Sequence, residues 1–395
     1  MNRIAYLLCE LKARDFAARL MIAEEILNRG CPVVVGQRWS IVFNAPYAPR
    51  GAYLFPTSNA IQAASMEGVK SAGHVIAAAD EEALALSGDA VLLNVAPATL
   101  DRAVFFTHST AQHEVLQKRY PKADFRLTGS ARVDLLLREA AEPVRETGYI
   151  LFNTNFPMTN GLWGDRAASA EPLRQAGLTD IEERFAFEEA RKAGLIPVIE
   201  NALKSLSVPI VIRPHPAESP AMWHELAKDY PQARVIVGEQ PGPWIAGASI
   251  VVHADCTTGL EAALMGRPVL NISTHGWGHK FLMRTVNPTV TSAAAGWDAL
   301  RAFLAGAPLP APIQATVTTL PPGGARQTAV TMLALLDAAG AKPLGGQFRW
   351  EKVTRPDVLK HKFSASRSEV EQQMKGLCAA IHEIDDSTFL LLPKT

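Results

Sequence analysis

Between Val208 and Ser273 one pattern recurs: VPIVIRPHPAES, ARVIVGEQ, SIVVHADC and RPVLNIS are short β-branched runs ending in polar residues, with helical segments between them. That alternation is the pattern of parallel strands joined by crossover helices, and it commits this part of the chain to an α/β sheet. Ligands of such sheets bind beyond the carboxyl ends of the strands. Here those ends carry Arg213-Pro214-His215-Pro216 and His253-Ala254-Asp255-Cys256-Thr257-Thr258-Gly259.

Thr257, Thr258 and Gly259 stand where a helix starts, so backbone N–H groups, two hydroxyls and the positive end of the helix dipole point at one spot, a seat for an anion such as phosphate. Arg213 and His215, delivered by a neighbouring strand, add charge and a hydrogen-bond donor. The plainer reading of each residue is structural: the threonines cap a buried helix, and His215 is a turn residue between two prolines. Their joint placement at two strand ends of one domain favours the site.

With 395 residues the chain exceeds one ordinary core. The expected division is residues 1–140, a charged linker near Glu139–Thr147, a second domain over 148–339, and a tail over 340–395 that packs back on the first domain. Lys+Arg and Asp+Glu both number 39, so no global field draws the chain to nucleic acid, and an anionic ligand must be held by local geometry. The four cysteines have no metal spacing, which fits a reduced cytoplasmic protein. No signal peptide is visible, and no run reaches the roughly 18 apolar residues that span a bilayer. The expected location is the cytoplasm, with peripheral contact at the inner membrane face compatible with these features.

In the first half, strands are expected over Arg3–Cys9, Cys31–Gly36, Gly51–Phe55, His74–Ala79, Ala103–His108 and Asp124–Leu127. The first ends in the charged run Glu10-Leu11-Lys12-Ala13-Arg14-Asp15, where Asp15 is placed to cap the following helix. A charged surface turn is the commonest explanation for such a run, and its position at a strand end makes it a candidate for binding the second substrate. The fourth strand ends in Asp80-Glu81-Glu82, whose mutual repulsion raises a pKa if one is buried, although an acidic helix N-terminus explains it as cheaply. After the linker, Tyr149–Asn153 is a strand ending in Asn153-Thr154-Asn155. Glu182–Leu206 is helical in composition but interrupted by Gly194 and Pro197. Ser292–Ala305, Arg326–Ala339 and Glu369–Ile384 read as helices. His275 and His279 in THGWGHK lie among glycines with no carboxylate nearby, so no metal site is expected.

RPHP followed by HADCTTGLEAALMGRPVL resembles the C-terminal half of bacterial surface-carbohydrate biosynthesis proteins, a group related in pattern to capsule Kdo transferases, bacterial sialyltransferases and teichoic-acid glycerophosphate polymerases. ELKARDF, VVVGQRW, ADEEAL, LTGSARVDLL and NTNF are similar to the same group, so the likeness covers about Met1 to Ala339 at intervals. The resemblance implies the GT-B fold, two Rossmann-like domains with parallel sheets facing a cleft. It also implies an acidic motif for a general base, an HP motif and a Ser/Thr pair for the nucleotide phosphate. The matching positions are Asp80, Glu81 and Glu82, then His215 and Pro216, then Thr257 and Thr258. Ala83 stands where the acidic motif usually has Gly, and Cys256 where a hydroxyl residue is common.

On that basis the chain is expected to be a metal-independent glycosyltransferase with no cofactor, its nucleotide-sugar being the substrate. A carboxylate among Asp80, Glu81 and Glu82 takes the acceptor proton, while His215 stabilises the leaving phosphate. Arg213, Pro216, Thr257, Thr258, Gly259, Glu261 and Asn155 bind the donor, with Glu261 on the ribose. Glu10, Lys12 and Arg14 orient a glycan or lipid-linked acceptor. The favoured donor is a CMP-activated ulosonic acid. Competing readings are a UDP-sugar 2-epimerase, a CDP-glycerol-type phosphotransferase and a noncatalytic nucleotide-sugar-binding scaffold.

Overall fold

The computed structural model of the chain describes residues 3–80, 95–142, 146–162, 164–175, 178–275, 289–310, 320, 323–340, 349–353 and 363–394. Six strands come first: β1 (Ala5–Cys9), β2 (Val33–Gln37), β3 (Ala52–Phe55), β4 (Val75–Ala79), β5 (Val104–Thr107) and β6 (Phe125–Leu127). Six follow: β7 (Tyr149–Asn153), β8 (Ile210–Arg213), β9 (Ala233–Val235), β10 (Ala248–His253), β11 (Val269–Ile272) and β12 (Thr289–Val290). A hairpin, β13 (Cys378–Asp385) and β14 (Thr388–Pro393), comes last. The helices are α1 (Ala17–Leu27), α2 (Arg38–Phe43), α3 (Ala63–Ser71), α4 (Thr110–Arg119), α5 (Ala131–Ala141), α6 (Arg166–Gln175), α7 (Ile181–Ser205), α8 (Ala221–Ala227), α9 (Pro241–Gly247), α10 (Thr258–Leu264), α11 (Ala293–Leu304), α12 (Gly324–Ala338) and α13 (Arg367–Gln373).

The chain divides into two compact units, Met1–Leu135 with Thr318–Thr395, and Leu136–Val317. The first holds an eight-stranded sheet in the order β13-β14-β2-β1-β3-β4-β5-β6, parallel except where β14 pairs antiparallel with β2 and β13. The second holds a six-stranded, wholly parallel sheet, β12-β11-β10-β7-β8-β9. Strands covered on both faces need no polar alternation. The unbroken apolar runs of β1, β7 and β8 are accordingly buried along their whole length.

In the second unit the faces separate cleanly by side-chain parity. Ile150, Phe152, Ile210, Ile212, Ile250, Val252 and Leu270 face α7 residues Leu195, Val198 and Ile199. Leu151, Val211, Val251 and Val269 share the other core with Ile245 of α9 and Ala262 of α10. Gly194 and Pro197 do not interrupt α7, which runs 25 residues with Pro197 inside it. Gly194 is the point of close approach, since a Cβ there would lie 2.6 Å from Cγ2 of Thr274.

Two expectations for the C-terminal third are corrected. The helix expected over Arg326–Ala339 in the second domain is α12, and its Ala329, Met332 and Leu336 lie in the first unit's core with Ala23, Ile26 and Val35. Its start is fastened there by Asp134, whose carboxylate accepts the N–H of Gly323 at 3.0 Å and of Ala325 at 2.8 Å. The helix expected over Glu369–Ile384 ends at Gln373, after a Ser366/Glu369 capping box, and a strand replaces the rest. Gly376, with φ of 80°, breaks the helix, and Phe389 and Leu391 of β14 are buried against the sheet. The tail thus extends the first unit's sheet.

Candidate functional site

The second sheet reverses its strand order at β7 and β10, so the crevice that holds ligands in such folds opens at their carboxyl ends. The ladder register sets His253 beside Asn153, and Asn153 beside Arg213. All three are buried. Burial holds the His253 pKa down to about 3, assisted by the Arg191 charge, so the ring is neutral. Its Nδ1 accepts the Cys256 N–H at 3.0 Å. Arg213 donates from Nη2 to the Glu239 carbonyl at 2.7 Å. The Asn153 amide has no partner for either its oxygen or its nitrogen among the described residues.

The turn after β10 is strained and braced. Asp255 has φ of 46°, a left-handed conformation rare outside glycine. Asn271, at the end of β11, accounts for it: its Oδ1 accepts the Asp255 N–H and its Nδ2 donates to Asp255 Oδ1, each at 2.8 Å. Burial raises the Asp255 pKa, opposed by Asn271 and Arg191. Arg191 of α7 donates to the Ala254 carbonyl at 2.6 Å and to the Asn155 carbonyl at 3.2 Å, tying the ends of β10 and β7 together.

The threonines behave differently from a simple cap. Neither hydroxyl caps α10, which starts at Thr258. The Thr258 hydroxyl is enclosed with no partner among the described residues. Gly259 spends its N–H on the Cys256 carbonyl at 3.1 Å and does not offer it to a ligand as expected. Glu261 is buried one turn into the helix.

His215 and Pro216 sit half-buried on the loop after β8. The His215 Nδ1 accepts the Ala217 N–H at 3.1 Å, so the neutral ring carries its proton on Nε2. The residue that shapes this loop, Glu218, is absent from the sequence-derived site. Its buried carboxylate accepts the His215 N–H at 3.0 Å, the Thr154 hydroxyl at 2.8 Å, Asn160 Nδ2 at 3.3 Å and Trp223 Nε1 at 3.1 Å. It joins the loop after β7 to the loop after β8. The available signal was its position three residues after His215, the spacing at which a carboxylate reaches back to a backbone N–H.

In the first unit, Asp15 is not a helix cap. It lies in a π-helical turn, Lys12–Phe16, and its Oδ2 folds back onto the N–H groups of Glu10 at 2.8 Å and Leu11 at 3.0 Å. Arg14 Nε donates to Asp15 Oδ1 at 2.6 Å and its Nη2 lies 3.8 Å from Glu10, while Lys12 Nζ pairs with Glu369 at 2.5 Å. The three acceptor candidates are therefore engaged in ion pairs. Asp80 is buried at the end of β4, its carbonyl accepting from His108 Nε2. Glu81 and Glu82 lie outside the described residues, as do Gly276–Lys280. His275 stacks on Phe187 at 4.5 Å and donates to its carbonyl at 3.0 Å. Among the described residues no three His, Cys, Asp or Glu side chains group to hold a metal ion, and no helix is long and apolar enough to cross a membrane.

No protein-family model and no curated protein matches the chain. Solved structures do. The UDP-GlcNAc 2-epimerase of Methanocaldococcus jannaschii in complex with UDP-GlcNAc and UDP aligns over 84% of this chain and 99% of its own, with 10% identity and a TM-score of 0.52. S. aureus MnaA with UDP aligns over 77% and 88%, with 10% identity and a TM-score of 0.46. The wall teichoic acid polymerase TagF aligns over 86% and 84%, with 8% identity and a TM-score of 0.44. The two α/β units of this chain, one sheet mostly and the other wholly parallel, have the GT-B-like Rossmann fold of the M. jannaschii enzyme.

Proposed function

We propose that the chain is a glycosyltransferase using a nucleotide-activated sugar, with the nucleotide held at the carboxyl edge of the second unit's sheet. One observation carries the reading: at the switch point of that sheet, Asn153 and Thr258 keep buried polar groups without partners among the described residues. An unmet buried amide or hydroxyl costs about 1–3 kcal/mol, a cost that a ligand's hydrogen bonds offset. To the same donor site we assign Arg213, His215, Pro216, Thr257, Gly259, Glu261 and Asn155.

In the transfer step, an acceptor hydroxyl attacks the anomeric carbon and the bond to the nucleotide phosphate breaks. A carboxylate among Asp80, Glu81 and Glu82 takes the hydroxyl proton, and the Nε2 proton of His215 faces the charge that develops on the phosphate. The choice of a CMP-activated ulosonic acid as donor, and of a glycan or lipid-linked acceptor at the inner membrane face, rests on the resemblance of RPHP and HADCTTGLEAALMG. The test is thermal stability of the purified chain with CMP, CDP, UDP and GDP, because a ligand of the folded state alone raises apparent stability. Stabilisation by CMP that His215→Ala removes supports the reading, and a response to UDP alone overturns the donor.

A second reading, epimerisation of a UDP-sugar, draws on the M. jannaschii enzyme solved with UDP-GlcNAc and UDP. Conversion of UDP-GlcNAc with no acceptor present selects it over transfer.

A further inference from the structure

The first unit's sheet also has a switch point. β1 lies between β2 and β3, with later strands added beyond β3, so the crevice of this sheet opens at the carboxyl end of β1. Two residues from the flanking strands meet across it. Arg38 opens α2 directly after β2, and Gln62 closes the turn Ala60–Gln62 after β3. Arg38 Nη1 donates to Gln62 Oε1 at 3.1 Å. The guanidinium lies over the Trp39 ring, 5.1 Å from its centroid, and Trp39 remains 51% exposed.

Arg38 is served differently from its neighbours. Lys12 and Arg14 have carboxylates at 2.5 and 2.6 Å. Arg38 has no carboxylate within ion-pair distance among the described residues, and its Nε is enclosed without an acceptor. Glu10 attracts it electrostatically, but Glu10 lies 3.8 Å from Arg14. Burial pushes the Arg38 pKa below the ordinary arginine value, which marks a cation whose lost hydration is not made good by the protein. A guanidinium has five donors in a planar fork matched to carboxylate or phosphate, and here one neutral acceptor occupies it. Gln62 is itself 1% exposed, so the fork's orientation is fixed from the core side.

We propose that Arg38 and Trp39 bind an anionic pyranoside on the first unit, the guanidinium fork taking its carboxylate or phosphate and the exposed indole face stacking on its ring. The pairing suits this ligand class. A charged fork selects the acid, and an amphipathic aromatic covers the apolar face of a sugar without demanding one linkage. That the ligand is the acceptor rests on the transferase reading; the binding does not.

The experiment is calorimetric titration of the full chain without nucleotide, using a glucuronate-containing tetrasaccharide, glucose 6-phosphate and neutral maltotetraose. The wild type binds at least one acidic probe more tightly than maltotetraose, and the two acidic probes decide between carboxylate and phosphate. Arg38→Ala weakens the acidic probe about 10- to 100-fold, the worth of charge-assisted hydrogen bonds, and leaves maltotetraose unchanged. Trp39→Ala weakens acidic and neutral probes alike, by about 2- to 10-fold. Gln62→Glu guards against a folding artefact: it supplies Arg38 with an internal carboxylate, so the acidic probe weakens while circular dichroism and the thermal response to nucleotide stay as in the wild type. No acidic binding by the wild type at about 10 mM probe, or equal losses of acidic and neutral binding in Arg38→Ala, overturns the proposal. Acidic-probe binding without any nucleotide response leaves it standing and sinks the nucleotide-sugar reading instead.

Discussion

Asp15 in the first unit and Glu218 in the second are both buried carboxylates that organise a loop at a strand's carboxyl end, yet their pKa values move in opposite directions. Burial raises both. At Asp15 the charge and hydrogen bond of Arg14, with Arg19 and the Leu11 N–H, overcome it, and the pKa falls below the ordinary value. Glu218 accepts hydrogen bonds only from neutral donors among its described partners, and there burial wins. Several neutral hydrogen bonds fill a carboxylate's lone pairs without matching what one adjacent guanidinium does for its charge. After β1 the first unit has closed its charges on themselves, whereas the switch point of the second sheet keeps polar groups in reserve.

The largest test removes the cation. Arg14→Met leaves Asp15 buried without its partner and is expected to cost about 3 kcal/mol in urea unfolding at pH 7, as breaking a buried pair does. A cost within about 1 kcal/mol reduces the pair to a surface contact and ends the contrast. Next, Glu218→Gln mismatches one donor or acceptor in the network and is expected to cost about 2 kcal/mol. It also slackens the loop that carries His215, so nucleotide-induced thermal stabilisation falls with it.

The pH dependence of the two penalties sharpens the comparison. Glu218 has a folded pKa above the ordinary 4.5, so its contribution is complete below 4.5 and is lost as pH rises through the folded value. The penalty of Glu218→Gln is therefore greatest at low pH and shrinks as pH rises. Asp15, held below 3.8, contributes fully above 3.8 and loses that contribution as pH falls through its folded value. The penalty of Asp15→Asn keeps its full size at neutral pH and shrinks only in acid. Urea unfolding of both variants against the wild type across pH checks the signs, and parallel slopes would refute the comparison.

The smallest effect on stability is expected at Asn153. Replacing its unpartnered amide in Asn153→Leu relieves the unmet polar groups, so unfolding free energy holds level or rises by about 1 kcal/mol, while the thermal response to nucleotide is lost. A large destabilisation with nucleotide response intact assigns the amide to internal structure.

Much of this was legible in the chain. The strand ends carrying Arg213, His215 and Thr257 follow from β-branched runs of fixed length, because a strand's side chains and its last residue are set locally. Glu218 was harder, since RPHPAES shows a carboxylate at the right offset but not that Thr154, Asn160 and Trp223 converge on it. Arg38 and Gln62 lie 24 residues apart, after two strands that flank β1 in the sheet, and no local pattern announces their contact. Asp15 reads as a cap because Asp before an apolar helix usually is one; Arg14 beside it made folding back onto Glu10 and Leu11 the better use of its charge.

By itself the sequence determined the parallel strands: apolar runs too continuous to face water had to be strands covered on both sides, and their polar ends had to gather along one edge of each sheet. Only the tertiary structure decided which sheet α12 covers, that the tail is a hairpin extending the first sheet, and that Asn153, Arg213 and His253 stand abreast. Periodicity fixes which face of an element is apolar, but many faces in one chain are apolar, and the choice among them is made by shape and by distant partners such as Asp134 on Gly323 and Ala325.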